Sequence, residues 1–249
     1  MHALLRFALA AASTALLTAV PAAAQRRLLF DARTPSRTGR ATAAEVALLE
    51  REIRPAASRM WDEPPGQVGL DRNVCRGAIN VRDVAAGSFT RRGAAQRAIL
   101  YEWCQTAAIF AKGGVVVVER GRIAAHAVYN DDVPNGIHRA PDVTGDGRDE
   151  LVFEVDGHTV MGHSELYVYL LSLTPGRADG YSFVTRVDDC GKEDPRALDT
   201  VFLTYAVPGR PLRFVQQRYE KPCNEAARFV RQSREITPDV LRAGFRRLR

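Results

Sequence analysis

Oxygen-bearing residues recur at alternate positions in one short stretch, Asp142-Val-Thr-Gly-Asp-Gly-Arg-Asp-Glu150. With Asp142 as position 1, side-chain oxygens fall at positions 1, 3, 5 and 9: Asp142, Thr144, Asp146 and Glu150. Position 7, Arg148, offers its backbone carbonyl. Gly145 and Gly147 let the backbone curl around a small volume. A hard cation such as calcium takes six to eight oxygens at about 2.3–2.6 Å in flexible geometry. A tight loop with alternate oxygens turned inward supplies most of them. Two carboxylates about 5 Å apart repel by roughly 3 kcal/mol at an effective dielectric near 20. Three converging carboxylates therefore strain such a loop, and a divalent ion relieves the strain. The competing reading is a Gly-Asp turn that binds nothing.

The segment is not an EF-hand. That motif needs Glu at position 12 and helical flanks, whereas here position 12 is Phe153, Pro141 precedes the loop and a strand pattern follows. Loop followed by strand, with the last ligand at position 9, resembles the FG-GAP or VCBS-type motif of integrin-like β-propeller blades, D-x-[DN]-G-D-G-x-x-D-L. The match is at Asp142, Gly145, Asp146, Gly147 and Leu151, and chemically at Glu150. The resemblance implies calcium as the cofactor, held by Asp142, Thr144, Asp146, the Arg148 carbonyl and Glu150. Thr144 departs from the pattern as a neutral, weaker ligand, so the expected affinity is that of extracellular modules, about 10⁻⁴–10⁻³ M. The likeness covers Ile137 to Leu166. One blade cannot close a propeller, so the motif carries over and the propeller does not. The phrases Gly87-Ser-Phe-Thr90 and Gly93-Ala-Ala-Gln96 resemble secreted bacterial proteins that carry a single such loop.

Other reactive residue types form weaker patterns. Cys75, Cys104, Cys190 and Cys223 are an even count, which in an exported chain suggests two disulfides. The spacing suggests Cys75–Cys104 and Cys190–Cys223. A zinc site is disfavoured because no C-x2-C pair exists. Gly162-His163-Ser164-Glu165-Leu166 begins like a nucleophile elbow, but Leu166 stands where G-x-S-x-G needs Gly. His158 and His163 lack an evident acidic third ligand nearby, and surface or turn histidines are the better reading. Asp188, Asp189, Glu193 and Asp194 crowd around Cys190 and read as a solvated turn. No P-loop or dinucleotide fingerprint is present.

The first residues address the chain. Arg6 supplies a short positive region, Phe7–Val20 an apolar run, and Ala22 and Ala24 the small residues of a cleavage site. Residues 1–24 are therefore expected to be a signal peptide, and the mature chain periplasmic or secreted. The apolar run is shorter than the ~20 residues of a membrane span, and no later segment is expected to cross a membrane. The formal charge is +6 and almost entirely arginine. It is spread along the chain without interleaved aromatics, which argues against nucleic acid. Its densest cluster is Arg242, Arg246, Arg247 and Arg249, read as a solvated helix face. Contact with an anionic lipid or polymer is the competing use.

The elements that must position these residues follow from period and punctuation. Residues 25–41 read as a flexible lead-in, and 42–249 as a single β-rich domain containing the Asp142–Glu150 loop. Thr42-Ala-Ala-Glu45 is a capping box, so a helix is expected over Ala43–Arg59, ended or kinked near Arg54 by Pro55. Strands are expected at 94–103, 115–119, 123–129, 151–155, 166–173, 181–187, 200–207 and 212–219. Hairpins join Val115–Tyr129, Leu166–Val187 and Thr200–Tyr219. Asn130–Asn135 reads as a polar loop. Thr237-Pro238 opens an expected C-terminal helix. The fold class is thus mainly β (α+β), an antiparallel hairpin-rich core with N-terminal and C-terminal helices. The expected function is extracytoplasmic binding or structure, with an envelope component, polymer or protein as ligand. The alternative is an extracytoplasmic hydrolase with an unidentified site.

Overall fold

The computed structural model describes residues 26–33, 39–55, 77–105, 111–129, 134–157, 159, 161–174, 177–192, 194, 196–209, 211–223, 226–240 and 246–248. The strands are β1 (Arg27–Asp31), β2 (Asn80–Gly87), β3 (Gln96–Gln105), β4 (Ala111–Glu119), β5 (Arg122–Tyr129), β6 (Pro134–Ala140) and β7 (Glu150–Asp156). They continue with β8 (Ser164–Thr174), β9 (Arg177–Asp188), β10 (Leu198–Val207), β11 (Arg213–Pro222), β12 (Val230–Ile236) and β13 (Arg246–Leu248). The one helix among the described residues, α1, is Ala43–Leu48, followed by a turn of π-helix over Leu49–Ile53.

Two antiparallel sheets result. The larger runs β12-β11-β10-β9-β8-β7-β6, with β1 also on β10; the smaller runs β13-β5-β4-β3-β2. The three expected hairpins are the β4–β5, β8–β9 and β10–β11 ladders. One apolar layer is shared by the sheets: Leu100, Val115, Val117 and Ala127 of the smaller meet Ile137, Leu151, Phe153 and Leu171 of the larger. The outer face of the smaller sheet (Ile99, Tyr101, Val116) is covered by Leu48, Leu49 and Ile53. The larger sheet curls over itself. β9 and β10 share only the pairs Asp199–Asp188, Thr200–Val187 and Val201–Arg186, and beyond them the strands diverge. Val152, Val168 and Phe183 then pack against Ala206 and Phe214 of the same sheet, with the Phe183 and Phe214 rings 4.6 Å apart. Both faces of β7 are therefore buried.

Asp83 joins the layers. It is fully buried at a register shift of β2. Its Oδ1 accepts the N–H groups of Gly39 (2.5 Å) and Val84 (2.7 Å), and its Oδ2 accepts the N–H of Ile137 on β6 (2.9 Å).

Several expectations are corrected. The capping box is present, with Thr42 and Glu45 bonded both ways, and helical backbone runs from Ala43 through the π turn to Pro55, but its regular part, α1, is short; 56–59 lie outside the described residues. The π turn lies just before Pro55, whose ring opposes the carbonyl four residues back. The expected C-terminal helix is absent from the described residues: 237–240 are irregular and Arg246–Leu248 pair with β5. An unpaired sheet edge there outweighs the local preference of Thr237-Pro238. The lead-in holds a strand, β1, because Leu29 and Phe30 bury against the curled sheet. The polar loop at 130–135 gives way to β6 from Pro134, a residue tolerated at the first position of an edge strand. Residues 1–24 and Cys75 lie outside the described residues, and with them the signal peptide and the Cys75–Cys104 pairing; of Arg242 and Arg249 the same holds.

Candidate functional site

The aspartate loop connects β6 to β7, and its fold is fixed from inside. Val143 is fully buried in the core between the two halves of the curled sheet. Gly145 and Gly147 take φ of 78° and 84°, and Asp142 takes 37°, a left-handed turn that Asp tolerates better than most residues. Glu150, the first residue of β7, is only 1 % exposed. Its Oε2 accepts the Val143 N–H (2.6 Å) and its Oε1 accepts the Thr144 hydroxyl (2.8 Å). Asp142 Oδ1 accepts the Gly147 N–H at 2.9 Å, and Asp146 Oδ1 accepts the Arg148 N–H at 3.0 Å. All five expected residues thus belong to one closed loop with Glu150 at its base.

Electrostatics of the loop are divided. Burial pushes the Glu150 carboxyl up to about 7, and the nearby charges of Asp146 and Asp142 push the same way. Asp146 is held below the usual carboxylate range by the Arg148 side chain, which also donates to the Leu173 carbonyl at 3.0 Å. Asp142 Oδ2 lies 3.5 Å from the Arg27 guanidinium, which also donates to the Pro141 carbonyl (3.1 Å). Two arginines therefore neutralise two of the three carboxylates. Among the described residues, no three His, Cys, Asp or Glu side chains stand together as an ion-holding group. The donor set (carboxylates, a hydroxyl and a backbone carbonyl) is of the hard type that suits calcium, and an ion there competes with both guanidinium groups.

The loop is docked to the smaller sheet. Asp149 Oδ2 accepts the Ser88 N–H (2.7 Å), and the Asp149 N–H donates to the Ser88 carbonyl (3.1 Å). A Cβ on Gly87 would stand 2.8 Å from Asp149 Oδ2, which accounts for glycine there. The turn after Ser88 is closed by Gln96, which accepts the Thr90 N–H (2.9 Å) and donates to Thr90 Oγ1 (2.6 Å) and Glu119 (2.8 Å). The phrases Gly87–Thr90 and Gly93–Gln96 are thus the seat of the aspartate loop.

The Gly162–Leu166 segment and the acidic turn before Cys190, far apart in sequence, meet in space. Ser164 pairs with Asp188 at the end of the β8–β9 ladder, so His163 and Asp189 emerge side by side. His163 Nδ1 is 2.6 Å from Asp189 and Nε2 is 3.4 Å from Glu165. The Asp189 carboxylate raises the imidazole's proton affinity. Both ring nitrogens face carboxylates, so this pair lacks the nucleophile contact of a hydrolytic triad. Cys190, next in the chain, is bonded to Cys223 with Cα atoms 5.2 Å apart, as the spacing suggested.

No family model, curated protein or solved structure matches this chain.

Proposed function

We propose that this is a non-enzymatic binding or structural protein working outside the cytoplasm, with one calcium ion stapling the β6–β7 loop. The observation that carries the reading is Glu150: a carboxylate buried at the base of a loop of alternating oxygens, within reach of the charges of Asp142 and Asp146. Asp142, Thr144, Asp146, Glu150 and the Arg148 carbonyl would hold the ion. Calcium supplies charge neutralisation there, not chemistry. Displacing Arg27 and Arg148 from their carboxylates consumes part of the binding energy, which fits weak affinity. The Cys190–Cys223 bond supports an oxidising compartment, in keeping with a periplasmic or secreted protein. Much of the arginine is spent on internal pairs such as Arg97–Glu45, Arg186–Asp199 and Arg33–Asp31. That use supports an envelope component, polymer or protein as partner over nucleic acid.

The test is thermal unfolding with calcium, with chelator, and with calcium on Asp146→Ala. Calcium at ten- to a hundredfold above its dissociation constant stabilises by about 1–3 kcal/mol. The midpoint should rise for the native chain and not for the variant. Arg27→Gln should bind calcium more tightly than the native chain. An unmoved native midpoint would reduce the loop to a bare turn.

A further inference from the structure

We propose that the cleft between β1 and the curled half of the large sheet binds a small carboxylate carried on an apolar body. This deepens the binding reading by naming a ligand class, and rests on it for the protein's role but not on calcium.

The cleft encloses about 370 Å³, within the range of small-molecule sites. Its apolar wall is Phe30 from β1, Leu166 from β8, Val201 from β10 and Phe229 just before β12, and charged side chains line the rest. Three cations reach into it from different elements: Arg33, Arg186 and Lys221. Their side chains are 35 %, 40 % and 24 % exposed, while Asp199 behind them is 2 % exposed. A ligand entering the cleft meets the cations before Asp199, with Glu154 on the same lining 14 % exposed.

Formal charges around the cleft sum to −1, Arg33, Arg186 and Lys221 standing against Asp31, Asp188, Asp199 and Glu154, so net charge does not draw an anion in. Hydrogen-bonding capacity does not balance. Arg33 spends Nε and Nη2 on Asp31, at 2.9 and 2.8 Å. Arg186 spends Nε and Nη2 on Asp199, both at 2.9 Å, and Nη2 also reaches Asp188. Nη1 of each arginine has no partner among the described residues. Lys221 Nζ lies 3.5 Å from Asp199, a long contact, and 5.0 Å from the Phe229 ring centroid. The cleft therefore holds unused cationic donors above aromatic and aliphatic walls. A guanidinium with one edge already on a carboxylate keeps a second edge for another. Arg33 is further held in place over the Tyr219 ring, 4.4 Å from its centroid. A ligand that fits brings acceptors at one end and apolar surface at the other.

The experiment is isothermal titration calorimetry of the full mature chain in chelator with decanoate, decanol and decylamine, each kept monomeric. Calcium is absent, so failure of the calcium reading leaves this result untouched. Decanoate should bind at least tenfold more tightly than decanol, and decylamine should give no binding. Arg33→Gln should weaken decanoate at least tenfold and leave decanol unchanged. Ala32→Phe, which fills the cleft without touching a charge, should abolish both. Arg186 is left intact because its loss strands the buried Asp199. Equal affinities for decanoate and decanol, no heat from decanoate at millimolar concentration, or undiminished binding by Ala32→Phe would each overturn the proposal.

Discussion

Replacing Asp83 with Asn changes one atom's chemistry and should cost more stability than its size suggests. All three partners of the Asp83 carboxylate are backbone N–H groups: Gly39, Val84 and Ile137. A carboxylate accepts at both oxygens, whereas a carboxamide accepts at one and donates at the other. In Asp83→Asn the amide group must face an N–H. Placed on the Ile137 side it leaves that donor and its own N–H groups unsatisfied in a fully buried site. Each buried orphan costs about 1–3 kcal/mol. Neutralising the buried charge returns part of that, so the net expectation is a loss of about 2–4 kcal/mol. At 2–4 °C per kcal/mol for a domain of this size, the midpoint should fall by roughly 5–15 °C. The assays are thermal unfolding and urea unfolding, both followed by tryptophan fluorescence; Trp103 sits in the same apolar cluster as Val84, the neighbour of Asp83. The slope against urea should not change, because the surface exposed on unfolding is the same. A loss under about 1 kcal/mol would refute the argument that acceptor geometry, not charge, fixes this site.

His126 is buried against the Tyr101 hydroxyl at 2.7 Å, and burial lowers its proton affinity to about 4. In the unfolded chain it titrates near 6.5. Its contribution to stability is thus complete above about pH 6.5 and falls away as pH drops to 4, by roughly 3 kcal/mol in total; His126→Gln should flatten that limb of a pH–stability curve. Gly162→Ala should be severe, since its Cβ would lie 2.1 Å from the Gly191 backbone at a φ of 77°. Gly145→Ala has the same handedness, with φ of 78°, but open space, so chemical denaturation should show a loss of only about 1–2 kcal/mol. Replacing both Cys190 and Cys223 with Ala should destabilise by about 3–4 kcal/mol for a bridge spanning 33 residues. Non-reducing peptide mapping should recover that pair.

Legibility of the fold tracked the strength of local pattern. The β4–β5 hairpin was readable because Val115–Val118 meets the tight Arg120-Gly121 turn, both residues at positive φ. β6 was hidden because Pro134-Asn135-Gly136 carries every local mark of a turn, and only its pairing with β7 makes it a strand. The C-terminal helix failed for the converse reason: a good start signal at Thr237-Pro238 yields to a vacant edge on β5 that no local window can see. At the candidate site, the five loop residues were legible because their spacing is itself the signal. Their counter-ions were only half legible. The spacing points to the Arg148 carbonyl, while its side chain faces Asp146; Arg27 comes from a strand far away in sequence. His163 and Asp189 were each visible, but only the β8–β9 register makes them neighbours.

The pairing of β1 with β10 has a kinetic consequence. Arg27 lies opposite Ala206, so this ladder cannot form until nearly all the intervening chain is in place. Closing so long a loop comes late and slowly, after local hairpins such as β8–β9 and β10–β11 have formed. β1 is thus expected to act as a latch, clicking shut as the final act of folding. It also carries Phe30 into the cleft and leads directly into Arg33. The cleft would not exist in any intermediate that lacks the latch. Ligand capture would then report a finished molecule, and a ligand present during refolding would speed no step before the last.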